Sequence, residues 1–199
     1  MWKWMTMSTL CSVIYTSLAG GQATVPSAVR SPRQVLDAVV AEGRLSFDGR
    51  ANVGDFTGTT TTVSGQLTGG DDITQVRGWV EAPVRTLVTG NGKRDKDLNK
   101  SMESDKYPTI RFELTQAVAQ GALADSMDVV LRGQFLIHGV TKEVELPATL
   151  VFLSDGVRVR STTPLNLKDY EIGGLSKFLG VLKMSEKIEV HVDVTFGYQ

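Results

Sequence analysis

The chain has 199 residues with 21 Lys and Arg against 22 Asp and Glu, a formal net charge of −1, and 22% charged residues. This balance excludes the basic footprint of a nucleic-acid binder, and the length suits one domain with a short appendage. Cys11 is the only cysteine and His138 and His191 are the only histidines, which excludes a disulfide framework and a Cys/His metal cluster.

Residues 1–23 read as a signal peptide. Met1 to Lys3 forms a short positive region, Met5 to Leu18 is mostly apolar or small, and Ser17-Leu18-Ala19 and Gly21-Gln22-Ala23 resemble small-residue cleavage sites. The competing reading is a ragged terminus, because Thr6, Ser8, Thr9 and Ser12 interrupt the apolar run. The signal-peptide reading places the protein in the periplasm or outside the cell. After residue 24 no apolar run approaches the roughly 18 residues needed for a membrane-spanning helix.

Residues 24–43 form a linker or a first strand. Ser31-Pro32-Arg33-Gln34 resembles a capping box with Gly43 as a stop, and Val35, Ala38 and Val39 share a helical face. Val35, Asp37, Val39 and Ala41 also alternate, and the persistent alternation after residue 43 favours the strand.

From residue 44 the period is two. Leu45, Phe47, Gly49, Ala51 and Val53 oppose Arg44, Ser46, Asp48, Arg50 and Asn52, and the threonine run at 57–62, continuing to Leu67, suits a β-branched strand. Val76, Gly78, Val80, Ala82 and Val84 oppose Arg77, Trp79, Glu81 and Arg85. In Thr86 to Phe112, Asn91-Gly92 marks a turn. Arg94, Asp95, Asp97 and Leu98 suit a short charged helix, Tyr107-Pro108 stops it, and Ile110 and Phe112 open the next strand. Val129, Leu131, Phe135 and Ile137 form a further apolar face, as do Val144, Leu146, Ala148, Leu150 and Phe152. Ile188, Val190, Val192, Val194 and Phe196 form the last and cleanest one. Strands with one wet face read as antiparallel, and about eight of them make a sandwich or a barrel.

The residues point away from conventional enzymology. His191 stands among Glu189 and Asp193 and reads as a solvated histidine, while His138 precedes Gly139 at a hairpin turn. Nucleophile elbows, phosphate loops and dinucleotide fingerprints are absent from the sequence. Asn99-Lys100-Ser101 is formally a glycosylation sequon. Arg94-Asp95 reads as an ion pair or, preferably, as part of a solvated helical turn that pins the segment.

Together, Thr89-Gly90-Asn91, Arg94-Asp95, Leu98 and Tyr107-Pro108-x-Ile110-x-Phe112 resemble the signature of the YceI-like family of bacterial lipid- and polyisoprenoid-binding proteins. The hairpin Gly133, Phe135, Ile137, Gly139, Val140, Thr141 and Lys142, followed by Leu146, is similar to the family's next element. Phe56 and Gly65 resemble its early strands, and Asp169, Tyr170 and Ile172 through Ile188 its C-terminal part. The likeness spans roughly residues 44–196. One departure is Leu45-Ser46-Phe47, where many members carry histidines.

The resemblance implies an all-β, lipocalin-like, eight-stranded antiparallel β-barrel at residues 44–199, with a short helix between strands and a long apolar lumen. The implied ligand is a polyisoprenoid or similar apolar lipid, held for storage or transport without catalysis. The residues expected to line the lumen are Phe47, Val80, Ile110, Phe112, Phe135, Ile137, Leu146, Leu150, Phe152, Val190 and Val192. Phe178 and Leu179, with Val181, form a lid or the tail's entry, or equally a core plug, and Asn91, Arg94 and Lys142 stand near a headgroup. No cofactor is expected beyond a bound isoprenoid or quinone-type lipid. A homodimer through the face of Trp79 stays open. Two other readings remain: a ligand-free structural or stress-associated secreted barrel, and a quinone or haem carrier.

Overall fold

The computed structural model describes residues 35–52, 54–70, 72–173, 176–177 and 182–199. None of the described helices is long and apolar enough to cross a membrane. The strands are β1 (Ala38–Gly49), β2 (Phe56–Thr60), β3 (Ser64–Thr68), β4 (Arg77–Pro83), β5 (Thr109–Ala122), β6 (Ser126–Ile137), β7 (Val140–Phe152) and β8 (Gly156–Asn166), then the two-residue β9 (Ser176–Lys177) and β10 (Leu182–Lys183), and finally β11 (Lys187–Tyr198). Among the described residues a single α-helix, α1 (Gly92–Ser101), lies between β4 and β5. The order β11-β8-β7-β6-β5-β4-β3-β1 closes through an antiparallel β1–β11 ladder. The result is an eight-stranded barrel with β2 as an extra strand on β1.

Alternation builds the wall. On β6 the buried residues are Val129, Leu131, Phe135 and Ile137, and on β7 they are Leu146, Ala148 and Leu150. Ile137 pairs with Val140, which leaves the two-residue turn His138-Gly139 at φ 53° and 76°. Both angles are positive, as a type I′ hairpin turn requires.

The segment with two sequence readings is strand from Ala38 onward, and the capping-box residues 31–34 lie outside the described residues. The inward face is not the one that Val35, Asp37, Val39 and Ala41 suggest. Ala38 is buried and Val39 is 37% exposed, and the register shifts between Val40 and Glu42. Ala41 is the extra residue of a β-bulge, which switches the parity so that Leu45 and Phe47 face inward beyond it.

The threonine-rich strand is two strands, broken at 61–63. β2 pairs with β1 along Leu45–Gly49, while β3 pairs with Ala38 and Val39 and then with β4. On its other edge β2 is tied by the Thr59–Val88 bridge, with N–O distances of 2.9 and 3.0 Å. The wall therefore parts between β2 and β4, beside the connection that carries α1.

Polar ties across the outer surface hold the closing seam. Asp48 on β1 accepts from Thr57 on β2 at 2.7 Å and lies 3.0 Å from His191 Nε2 on β11, whose Nδ1 meets Thr162 Oγ1 on β8 at 3.1 Å. His191 is thus a cross-strand connector and not a freely solvated ring, because the barrel places Ser46 opposite it and Asp48 diagonally across the ladder, within reach of Nε2. The Thr57 bond, then His191, holds the Asp48 carboxyl below the ordinary Asp range.

Candidate ligand-binding site

The lumen holds two adjacent spaces of about 490 Å³ and 100 Å³. The larger falls in the range of small-molecule sites, roughly 300–1,000 Å³. Its apolar wall includes Phe47, Ile137, Leu165, Ile172, Ile188 and Val190, and its polar rim includes Thr60, Asn91, Arg94, Asp97 and Ser101. The smaller space is walled by Val80, Phe112, Ala117, Leu131, Leu146 and Leu150 among others.

The local sequence explains how α1 reaches this position. Asn91 is its N-cap, accepting from the backbone N–H groups of Lys93 and Arg94 at 3.1 and 3.2 Å. Asn91-Gly92 therefore starts the helix rather than forming a separate turn. Asp95 Oδ1 accepts from Thr89 N at 2.8 Å and from Thr89 Oγ1 at 2.6 Å, so the carboxylate anchors the first turn to the preceding chain. The helix ends at Ser101, before Tyr107-Pro108, and Glu103 beyond it has φ 44°. Asn99 of the sequon donates from Nδ2 to Asp95 O at 2.9 Å within the helix.

Arg94 turns to the aromatic cluster at β2. Its guanidinium carbon lies 4.3 Å from the Phe56 ring centroid, the range of a cation–π contact. Phe56 meets Phe47 edge-on at 6.1 Å and 88°. Each ring lies across a glycine of the opposite strand. A Cβ at Gly58 would stand 2.2 Å from Phe47, and one at Gly49 would stand 2.5 Å from Phe56. The two cross-strand pairs, Phe47 with Gly58 and Phe56 with Gly49, fix β2 against β1. Arg94 and Asp95 therefore act separately: Asp95 holds the helix to Thr89, and Arg94 joins it to β2 at the cavity wall.

The floor beside α1 is organised by His138. Its ring is 8% exposed, Nδ1 is 3.0 Å from Tyr170 O, and Nε2 is 3.5 Å from Glu103 Oε1 without a hydrogen bond. Tyr107 packs on the ring at 4.7 Å. Glu103, His138 and Glu171 are the non-glycine residues with positive φ among those described, and they converge here. Next to them in sequence stand Met102, Ile137 and Ile172, all of which line the larger space.

Of the residues expected at the lumen, Phe47, Ile137, Val190, Asn91 and Arg94 line the larger space. Val80, Phe112, Leu146 and Leu150 line the smaller one, while Ile110, Phe135 and Val192 line both. Phe152 lines neither and packs against the core near the turn to β8. Lys142 is exposed on β7, away from the cavity. Phe178, Leu179 and Val181 lie outside the described residues. Leu87, Met102, Leu167 and Met184 also line the larger space. They fall in connections where no strand period marks an inward face. Trp79 sits under the Arg111 guanidinium at 4.3 Å, and Arg111 also bonds Glu81 and Glu113, so that exterior patch is polar. No group of three or more His, Cys, Asp or Glu among the described residues could hold a metal ion.

Comparison with known proteins agrees with this geometry. The YceI-like domain model matches residues 35–196. A polyisoprenoid binding domain from Saccharophagus degradans has a similar fold at 15% identity and TM-score 0.68, covering 83% of this chain and 99% of that one. Burkholderia cenocepacia BcnA superposes at 14% identity and TM-score 0.65, covering 77% and 95%. A YceI protein from Campylobacter jejuni superposes at 16% identity and TM-score 0.51, covering 62% and 72%. No curated protein sequence matches the chain.

Proposed function

The chain belongs to the YceI-like family, and from that premise we propose that it binds a polyisoprenoid or a similar apolar-tailed lipid in its lumen, for storage or transport outside the cytoplasm. The carrying observation is the cavity of about 490 Å³, apolar over most of its wall and polar where α1 borders it. Such a site suits an amphiphile, with the tail among Phe47, Ile137, Ile188 and Val190 and the headgroup near Asn91 and Arg94. The Saccharophagus degradans neighbour, a polyisoprenoid binding domain, supports the ligand class. Export rests on the character of residues 1–23.

The energetics require a tail of some length. Each buried methylene contributes about 0.8 kcal/mol, and association costs about 4–15 kcal/mol. Roughly ten buried methylenes therefore bring retention to the break-even region, and longer tails bind firmly within the available space.

The test is mass spectrometry of an organic extract from natively purified protein, with titration of the stripped protein by a fluorescent prenyl alcohol. A co-purifying lipid and saturable uptake, both lost in Val190→Trp, are the expected result. An empty extract together with no uptake leaves a ligand-free barrel as the reading. Optical absorbance of the same sample distinguishes a quinone or haem from a colourless lipid, and N-terminal sequencing of the fractionated protein tests cleavage near residue 23.

A further inference from the structure

The two spaces of the lumen meet at four side chains, Leu45, Ile110, Phe135 and Val192, which line both. Leu45 on β1 and Val192 on β11 are cross-strand partners and form one patch of wall. Ile110 and Phe135 stand on β5 and β6, which lie diametrically across the eight-strand circuit from β1 and β11. The contributions thus come from opposite walls and narrow the lumen between them.

Phe135 is held in place. Its ring packs on Phe112 at 5.2 Å and 59°. Phe112 lies over Gly133, where a Cβ would be 2.7 Å from its ring. Phe135 therefore has an aromatic backing on one side and the lumen on the other.

We propose that Leu45, Ile110, Phe135 and Val192 form a length-determining constriction. The ligand's tail fills the larger space beside α1 and ends against these four residues, and the 100 Å³ space beyond stays outside the binding site. The preferred ligands are single-tailed amphiphiles short enough to end there. This inference rests on the lipid-binding reading and specifies which members of that ligand class the site takes.

The experiment is a titration of the stripped, full-length protein with linear prenyl alcohols of increasing length. Affinity rises by about fourfold per added buried methylene until the tail reaches the constriction, then levels off. Phe135→Ala moves the break to longer tails by joining the two spaces. Ile110→Ala does the same to a smaller extent and serves if the first variant fails to fold. Ala117→Val, in the smaller space, leaves the length profile unchanged.

An affinity that climbs through the whole series in the wild type overturns the constriction. So does a break that Phe135→Ala and Ile110→Ala both leave in place, or one that Ala117→Val shifts to shorter tails. In each of these cases lipid binding itself stands. Absence of binding at every length overturns the lipid-binding reading and the constriction together.

Discussion

Removing the Asp95 carboxylate is expected to loosen α1 without unfolding the barrel. Asp95 accepts two hydrogen bonds from Thr89, at 2.8 and 2.6 Å, and is an acidic residue in the first turn of α1. A hydrogen bond to a charged group is worth about 1.5–3 kcal/mol, and an acidic side chain near a helix N-terminus adds about 0.3–1 kcal/mol. The site is only partly buried, so a discounted total of about 2–4 kcal/mol for Asp95→Ala is reasonable. That corresponds to a roughly 30- to 1,000-fold shift in the equilibrium between docked and undocked helix. The Asn91 cap and the Arg94–Phe56 contact remain, and the ladders of β5 to β8 are untouched. Hydrogen exchange read by mass spectrometry should therefore accelerate in residues 96–101 while β6 keeps its protection. Release of bound prenyl alcohol should quicken in parallel. Asp95→Asn, which keeps an acceptor oxygen without the charge, should fall between wild type and Asp95→Ala. Unchanged exchange of α1 in Asp95→Ala would refute the anchoring role.

Three other outcomes are expected. Gly133→Ala would place a Cβ 2.1 Å from Glu113 O; the backbone must yield, at about 1–3 kcal/mol or more. The corresponding fall in Tm is about 2–4 °C per kcal/mol, and a Tm within error of wild type would sink the argument. The Arg158 hydrogen bond holds the Asp193 carboxyl below the ordinary Asp range, with further help from Arg160 and Arg44. Its stabilisation is complete above the unfolded value near pH ~3.9 and is lost as pH falls through the lower folded value; thermal melts of Asp193→Asn should accordingly show a shallower acid limb than wild type. His138→Asn keeps a residue suited to the left-handed turn but loses the ring's bond to Tyr170 O and its packing on Tyr107, so a loss of about 1–3 kcal/mol in denaturant titration is expected. Wild-type stability would show that the buried ring is dispensable.

The strands were readable because each has one wet face: β6, β7 and β11 alternate without interruption, and their inward residues can be named directly. β1 was harder, since the bulge at Ala41 reverses parity within the strand and composition carries no sign of an extra residue. The division of the threonine run into β2 and β3 was hidden for a related reason. β-branched residues favour extended chain on both sides of 61–63, while the break answers to different pairings, Leu45–Gly49 of β1 for one half and Ala38–Val39 together with β4 for the other. The lumen's aromatic and aliphatic wall was legible from strand periodicity. The constriction was not, because it depends on which residues of opposite walls reach the same level, a property of register and barrel circuit. His138 and His191 show the same limit: each finds its partner across the fold and not along the chain.

The β1–β11 ladder joins nearly opposite ends of the described chain, whereas β5 to β8 succeed one another through short turns. Local ladders carry little loop-closure entropy and distant ones carry more, so the seam is expected to close late in folding. Until it closes there is no interior, only a curved sheet with its greasy side uncovered. On the proposed lipid-binding reading, an apolar tail lying on that sheet is enclosed as the first and last strands meet, which gives two routes for loading to be told apart: through the finished wall beside α1, or during assembly. Refolding with and without a prenyl alcohol, tracked by pulse-labelled hydrogen exchange at β1 and β11, separates them. A seam that closes faster with lipid present marks loading during assembly, and an unchanged rate leaves the finished wall as the way in.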